Sequence, residues 1–274
     1  RKLVPDMPVL FMSGYAEEQL RSQIAIDDVF AAVASEGRRP APYSILSVEQ
    51  NGKVLYAHAP ELKWLADSDR PQPRGMGRSS PPLQGMTLET LADDVALTIN
   101  RLSQGPAVVV GHAFGHWVAR VLDMNHPRLV HGVVVLGGSA RVFPSGMAEA
   151  LAVGSDPSKP EKERIDALNR SMFAPGNDSR AWLSGWHPEL RAAYRLAGQF
   201  PPKDKWFNAA SAPVLDLQGA QDAWRPLASR NELKDVLGDK ITVAVIAGAG
   251  HALVPEQPKA VSEAIVAWIR ALKP

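Results

Sequence analysis

One segment near the middle of the chain constrains its fold more than any other. Residues 107–110 read Ala-Val-Val-Val, a short and mostly β-branched run that is typical of a strand buried on both faces. A turn bracketed by Gly111 and Gly115 follows, and a helical pattern of apolar residues continues to Leu122. This order predicts a strand, a tight turn and a helix, with residues 112–114 at the carboxyl end of the strand.

The rest of the chain repeats this alternation of strands and helices. Three more short apolar runs indicate buried strands, and two segments have the apolar spacing of a helix. The strand patterns lie at 132–137, 213–219 and 241–246, and the helical patterns lie at 87–99 and 258–272. Thr87 is the expected N-cap of the first of these helices. Strands that alternate with helices predict an α/β fold, with a mostly parallel sheet and helices on both of its faces.

A long insertion interrupts the alternation at about 141–210. It has a helical pattern and is rich in aromatic residues. A connection of this length favours a role such as a lid over a site; the alternative is a packed helical excursion whose aromatic residues fill the core, and both can hold. The expected organisation is a core of residues 1–140 and 211–274, in which 1–40 is an atypical N-terminal segment, and a helical cap at 141–210.

Composition narrows the classes of function. The 274 residues carry 30 Lys and Arg against 29 Asp and Glu, a formal charge of +1, which argues against a broad basic surface for nucleic acid. No apolar run is long enough to span a membrane, and the stretch at 9–12 is too short for a secretory signal, so we expect a cytoplasmic protein. The chain has no cysteine, and its seven histidines lack metal-binding spacing, which excludes a Cys nucleophile and predicts no metal.

Four short motifs carry a resemblance to a known family. They are Arg-Gly-Met-Gly-Arg-Ser-Ser at 74–80, Gly-His-Ala-Phe-Gly at 111–115, Gln-Gly-Ala-Gln-Asp at 218–222 and Gly-Ala-Gly-His at 248–251. With these motifs in this order, the stretch from about 71 to 274 resembles the α/β-hydrolase superfamily. The resemblance implies hydrolysis of esters, lactones, amides or related bonds, without a metal or an organic cofactor.

The resemblance also assigns roles to individual residues. The turn at 111–115 matches the nucleophile elbow, so Ala113 occupies the nucleophile position, and the backbone N–H of Phe114 is an oxyanion donor at a helix N-terminus. Asp222 and His251 follow the next strands in the chain order of this fold. Asp222 would hold the tautomer of His251, and His251 would act as general base and then as general acid.

Ala113 departs from the family pattern, in which the apex of the elbow is Ser, or Asp or Cys in some branches. A methyl group cannot attack a carbonyl, and it offers His251 no hydroxyl to deprotonate. Three explanations are open: an engineered Ser-to-Ala variant that traps substrate, a natural member that binds ligand or lets His251 activate water, or a misregistered elbow. We expect weak or absent serine-type hydrolysis from the sequence as it stands.

The N-terminal part of the chain lacks the order that this superfamily usually has. A β-hairpin with an Asn-Gly turn is predicted at 43–58. Only residues 59–69 separate it from the loop that contains Arg74, which leaves no room for the strand that supplies the second oxyanion donor. That strand is therefore missing from its usual place.

An earlier segment is a candidate for the missing strand. Residues 7–15 have the pattern of a strand and a turn, and residues 24–34 that of a helix. If this segment docks beside 107–111, the N–H of Tyr15 would be the second oxyanion donor. The alternative is that residues 5–18 resemble the late strand and turn of response-regulator receiver domains, as after a gene fusion or at a cloning junction.

Three more side chains are candidate substrate contacts. Trp182 and Trp186 lie in the insertion, and His112 precedes the apex of the elbow; packing under the turn is the alternative role for His112. The aromatic residues of the insertion and Phe114 favour an apolar pocket. We expect a small, largely apolar ester- or lactone-like substrate between insertion and core. A non-catalytic protein that binds a small ligand on the same fold is the alternative function.

Overall fold

The structure is a computed structural model that describes residues 9–13, 74–75, 83–102, 106–184 and 186–272. Three sequence predictions lie outside these residues. They are the hairpin at 43–58, the helix at 24–34 and the placement of Tyr15. The described residues contain the sheet, the insertion except residue 185, and all three loops that carry the candidate catalytic residues.

Five parallel strands form one sheet, in which strands that are neighbours in space are also consecutive among the described strands. The register pairs Val110 with Val134 and Leu136 with Leu217. Because all strands run in the same direction, the loops that follow them lie along one edge of the sheet. The strands are β1 (Val9–Ser13), β2 (Ala107–His112), β3 (Val130–Leu136), β4 (Val214–Gly219) and β5 (Ile241–Ile246).

Helices cover both faces of this sheet. The described helices are α1 (Leu88–Leu102), α2 (Phe114–Asn125), α3 (Met147–Gly154), α4 (Glu161–Ser171), α5 (Arg191–Ala197), α6 (Lys203–Phe207), α7 (Glu232–Leu237), α8 (Leu253–Glu256) and α9 (Pro258–Ala271). Val109 and Val133 pack in one core with α1 and α2, whereas Val108 and Val134 pack in a second core with α9. This division follows the period of two that a strand imposes on its side chains. The predicted α/β fold with a parallel sheet covered on both faces is confirmed.

None of the helices within the described ranges has both the length and the apolar character needed to cross a membrane.

Local side-chain chemistry accounts for the start of α1. The Thr90 N–H donates to Thr87 Oγ1 at 3.2 Å, and the Thr87 N–H donates to Thr90 Oγ1 at 2.9 Å. This reciprocal pair satisfies N–H groups for which a helix start provides no acceptor. The prediction that Thr87 is the N-cap is confirmed.

The N-terminal strand docks in the sheet. β1 runs parallel to β2 and pairs Val9 with Val108 and Ser13 with His112. The expected docking beside 107–111 is therefore confirmed for residues 9–13. It brings the end of β1 to the same edge of the sheet as the end of β2.

β5 is less buried than its sequence suggested. Only Ile241 and Ile246 of this strand are buried, and Val245 is 41% exposed. The expectation of a strand buried on both faces at 241–246 is therefore wrong. β5 is the outermost strand of the described sheet beyond β4, and a short β-branched run does not distinguish an outer strand from a central one.

The insertion is helical, as predicted, and its aromatic residues divide into two groups. Trp206 and Phe207 are buried in the core that contains α1 and α2. Trp182 and Trp186 belong to a separate cluster that also contains Trp224 from the loop after β4. The first group fills the core, and the second lies next to the loops at the carboxyl edge of the sheet.

Candidate active site

The turn between β2 and α2 has the backbone of a nucleophile elbow. Ala113 has φ 49° and ψ −120°, and no other non-glycine residue in the described ranges has a positive φ. Its N–H donates to the carbonyl of Leu136 at the end of β3, at 3.1 Å. β2 ends at His112 and α2 begins at Phe114, so Ala113 is the apex, and the explanation of a misregistered elbow is wrong.

Gly111 makes this turn sterically possible. A Cβ atom at Gly111 would lie 2.5 Å from the carbonyl oxygen of Gly115 and 2.5 Å from the Cα of His116. A Cβ atom does not approach non-bonded backbone atoms this closely in proteins, so only glycine allows the first turn of α2 to approach the end of β2. The glycine pattern at 111–115 therefore reflects close packing of the backbone.

Asp222 lies just beyond the end of β4, with its side chain fully buried. Its Oδ1 accepts a hydrogen bond from the Trp224 N–H at 2.8 Å, and its backbone carbonyl accepts from the Arg225 N–H at 3.1 Å. The loop after β4 thus holds the carboxylate in a fixed orientation.

His251 lies beyond the end of β5, and its ring faces this carboxylate. Its Nδ1 is 3.0 Å from Asp222 Oδ2 and 3.2 Å from Asp222 Oδ1. The carboxylate is an acceptor, so it selects the tautomer with the proton on Nδ1 and leaves Nε2 as the basic nitrogen of the neutral ring. The indole of Trp224 lies beside the imidazole, with ring centroids 5.7 Å apart.

His112 connects the elbow to the histidine loop. Its Nε2 lies 3.0 Å from the backbone carbonyl of His251, and the two rings are 5.5 Å apart between centroids. Burial, and to a smaller extent the nearby His251, lower the pKa of His112 to about 3. The neutral ring therefore donates Nε2–H to that carbonyl. The structure brings the loops of Ala113 and His251 into contact through His112.

The other predicted site residues that the structure describes are Phe114, Trp182 and Trp186. Phe114 is the first residue of α2, where helix geometry leaves the backbone N–H without an intrahelical acceptor, and its ring packs against Tyr194. The ring of Trp182 lies 6.0 Å from that of His112. Trp186 lies one layer further out, and its Nε1 donates to the carbonyl of Trp182 at 2.6 Å.

Sequence reasoning missed a buried ion pair beneath the acid loop. Arg225 Nη2 lies 2.9 Å from Asp216 Oδ2, and the two side chains are 1% and 0% exposed. Arg225 Nη1 also donates to the carbonyl of Ser139, after β3, at 3.0 Å. The pair thus fixes the loop of Asp222 against two strands. The signal was present in the sequence, because an aspartate in the run Val-Leu-Asp-Leu requires a buried partner.

Sequence reasoning also missed Glu256, and His116 is a further buried titratable side chain. Glu256, five positions after His251, is buried, and its carboxylate accepts a hydrogen bond from the N–H of Gly250 at 2.7 Å. His116 is buried beside the rings of Trp117 and Trp206, and this burial lowers its pKa well below the ordinary value. His116 thus lies in the packed interior, and Glu256 contacts the histidine loop.

Two curated relatives share most of their length with this chain. It is 29% identical over 216 residues to BpoC of Mycobacterium tuberculosis, which is named as a non-heme bromoperoxidase; the match covers 73% of this chain and 81% of BpoC. It is 25% identical over 234 residues to the 2-hydroxymuconate semialdehyde hydrolase of Pseudomonas sp. strain CF600, with 77% and 81% covered.

Two solved structures share the fold of this chain, and a family model identifies its family. The crystal structure of BpoC matches with a TM-score of 0.69 and 23% identity, over 100% of this chain and 95% of that one. The esterase RhEst1 from Rhodococcus sp. ECU1013 matches with a TM-score of 0.66 and 20% identity, over 98% and 92%. The model of the alpha/beta hydrolase family matches residues 26–264. The chain therefore belongs to the alpha/beta hydrolase family, which supports a general hydrolase function.

Proposed function

We propose that this chain is an esterase- or lactonase-type hydrolase whose nucleophile position is occupied by Ala113. The observation that carries the proposal is the combination of an elbow backbone at Ala113 with a buried His251–Asp222 pair 3.0 Å apart. A scaffold that retains a strained turn and a buried acid–histidine pair is built for nucleophile–His–Asp chemistry. Because the nucleophilic oxygen is absent, we expect serine-type turnover to be weak or absent.

Each part of the site has a defined role in this chemistry. With a serine at position 113, His251 Nε2 would accept the hydroxyl proton and later return it to the leaving group. Asp222 would hold the ring and stabilise the imidazolium. The N–H groups of Phe114 and Tyr15 would stabilise the oxyanion, with Tyr15 assigned by sequence because it follows β1.

We further propose that residues 141–210 form a cap and that the substrate lies between this cap and the sheet edge. The position of Trp182 beside His112 supports this, although Trp182 itself is only 2% exposed; the partly buried Trp186 packs against it. A boundary of indole rings favours an apolar acyl or ring portion over a charged one. The proposed substrate is thus a small, largely apolar carboxylic ester or lactone.

Ala113 itself favours a second candidate function, a non-catalytic protein that binds such a ligand. Without an attacking oxygen no acyl-enzyme forms, and oxyanion stabilisation alone leaves residual catalysis of roughly 10³ to 10⁴ over water. A protein of this kind would retain the pocket and lose the need for turnover.

Substitution of one residue tests the proposal and separates the two functions. We expect Ala113→Ser to hydrolyse p-nitrophenyl butyrate or a short acyl lactone at least about 10³-fold faster than the unsubstituted chain. Ala113→Gly, which also lacks an attacking oxygen, is the matched control and should remain as slow as the unsubstituted chain. A folded Ala113→Ser protein that binds the ester without turning it over would refute the hydrolase proposal and favour the binding protein.

A further inference from the structure

Glu256 contacts both the loop that carries His251 and residues 174–177 of the insertion. Its Oε2 accepts a hydrogen bond from the Gly250 N–H at 2.7 Å, immediately before His251 in the chain. Its Oε1 accepts from the Ala174 N–H at 2.6 Å and from Asn177 Nδ2 at 2.9 Å. Ala174 and Asn177 follow α4, so one buried carboxylate joins two segments that are distant in sequence.

Two further hydrogen bonds join the same segments. Asn177 Nδ2 also donates to the carbonyl of Gly248 at 3.1 Å, and the Ala252 N–H donates to the carbonyl of Met172 at 2.9 Å. These contacts lie on either side of His251 in the chain. The backbone around the imidazole is thus attached to residues 172–177 both before and after the histidine.

The two segments are in direct backbone contact at Gly250. A Cβ atom there would lie 2.7 Å from the carbonyl oxygen of Met172 and 2.8 Å from the nitrogen of Ala174. No side chain or water separates atoms at this spacing. A displacement of residues 172–174 would therefore be transmitted to the loop that carries His251.

Three N–H donors face the buried carboxyl group of Glu256. Burial raises the pKa of Glu256, the hydrogen bonds from Ala174 and Gly250 lower it, and the charge of Asp222 raises it; the net result is a pKa of about 7. A carboxylate kept at such a desolvation cost, at a point of contact with the catalytic loop, indicates a role beyond packing.

We propose that Glu256 is a positioning residue that fastens the His251 loop to residues 172–177 of the insertion, so that the position of the imidazole relative to position 113 depends on where this part of the insertion lies. The proposal rests on the proposed function, because positioning matters only if His251 acts on a group at position 113. It also implies that a ligand which displaces residues 172–177 would move the imidazole of His251 through this contact.

Glu256→Gln tests the role with little change of shape. Glutamine has one acceptor oxygen and one NH₂ group, so either orientation places N–H against N–H at Gly250 or at Ala174. Glu263→Gln is the matched control, because Glu263 lies exposed on the neighbouring helix α9 and pairs with Lys259. Asn177→Ala is a second variant that removes one donor to Glu256 and leaves its carboxylate in place, in case Glu256→Gln does not fold.

The first measurement needs no turnover and uses the chain as it stands. NMR of the unsubstituted protein reports the titration of the His251 ring and the exchange rates of the Gly250 and Ala252 amides. We expect Glu256→Gln to shift the His251 titration and to accelerate exchange of these amides about tenfold, Asn177→Ala to act in the same direction with a smaller effect, and Glu263→Gln to change neither. A folded Glu256→Gln protein with an unaltered His251 titration would overturn the proposal.

The second measurement uses the Ala113→Ser background. There we expect Glu256→Gln to lower kcat by about 10- to 100-fold with little change in KM, since a misplaced general base costs rate without weakening ground-state binding. A folded double variant with unchanged kcat would also overturn the proposal. Inactivity of Ala113→Ser alone would count against the proposed function, and the NMR result would still decide whether Glu256 positions His251.

Discussion

The elbow and the acid–histidine side of the site have been preserved in different ways. The elbow retains a demanding backbone at Ala113 but has no side chain capable of chemistry, whereas the other side retains backbone and chemical groups together, with His251 and Asp222 both buried and bonded. A positive φ at a non-glycine residue costs about 1 to 3 kcal/mol, so the surroundings must hold the elbow in place. The close approach at Gly111 and the hydrogen bond to Leu136 do so without any help from the side chain at 113.

This difference shows that the backbone shape of the site does not depend on the hydroxyl oxygen that a serine at position 113 would supply for the reaction. If the elbow is held by its neighbours, replacing its side chain changes the reaction and leaves the fold intact. On the acid–histidine side the same groups hold the loops and would perform the chemistry, so a substitution there affects both. Substitutions on the two sides should therefore differ in whether they affect activity alone or activity and stability together.

The largest effect is expected from Asp222→Asn in the Ala113→Ser background. An amide in place of the carboxylate can turn its NH₂ group toward Nδ1, which favours the wrong tautomer of His251. If it turns its oxygen toward Nδ1 instead, it lacks the negative charge that stabilises the imidazolium. In either case kcat should fall by about 10⁴-fold. Steady-state kinetics on an aryl ester measures this loss. The same substitution in the unsubstituted chain is the control and should not alter its background rate. A loss smaller than tenfold would mean that the pair does not act as proposed.

Much of the fold and part of the site could be predicted because their causes are local. The helix start at Thr87 depends on a residue three positions away, and the elbow at 111–115 depends on Gly111 within the same turn. Asp222 and His251 lie in the loops that follow two apolar runs, three and five positions beyond the strand ends, and parallel strands bring such loops to one edge. The sequence pattern therefore indicated where these residues lie before their contacts were known.

Other features could not be predicted because their causes are distant in sequence. Glu256 contacts Ala174, 82 positions away, and no pattern around Glu256 indicates which backbone it faces. The burial of β5 depends on whether another strand lies beyond it, which the run at 241–246 does not encode. His112 was a candidate for substrate contact or for packing, and only its 3.0 Å contact with the His251 carbonyl shows that it supports the histidine loop.

An effect of intermediate size on the free energy of unfolding is expected when the pH is lowered, because His112 is buried. Its pKa falls from the ordinary 6.5 to about 3 in the folded protein because the ring is buried, so its contribution to stability is complete above pH 6.5 and is lost as the pH falls toward 3. His112→Gln replaces the ring by an amide that does not titrate in this range. The stability advantage of the unsubstituted chain over His112→Gln should therefore shrink by several kcal/mol between pH 7 and pH 4, since one pKa unit corresponds to about 1.4 kcal/mol.

Denaturant unfolding of both proteins at several pH values measures this difference. Glu256 acts in the opposite direction: its pKa is raised to about 7, so its contribution is greatest at low pH and is lost as the pH rises from about 4.5 through 7. Because both proteins contain Glu256, its effect cancels in the comparison. Parallel pH curves for the two proteins would contradict a buried neutral ring at His112.

The smallest expected effect is a change in the free energy of unfolding that reports the backbone strain in the elbow. Ala113→Gly replaces a strained alanine by the residue that adopts φ 49° most readily, and this relief outweighs the extra freedom that glycine gains in the unfolded chain. We expect the free energy of unfolding to rise by about 0.5 to 1 kcal/mol. Ala267→Gly, at an exposed position inside α9, is the matched control and should lower it by about 1 kcal/mol. Opposite signs for the same substitution would show that the elbow is strained and is held by its surroundings, whereas a loss of stability at both positions would show that the methyl group of Ala113 itself stabilises the turn.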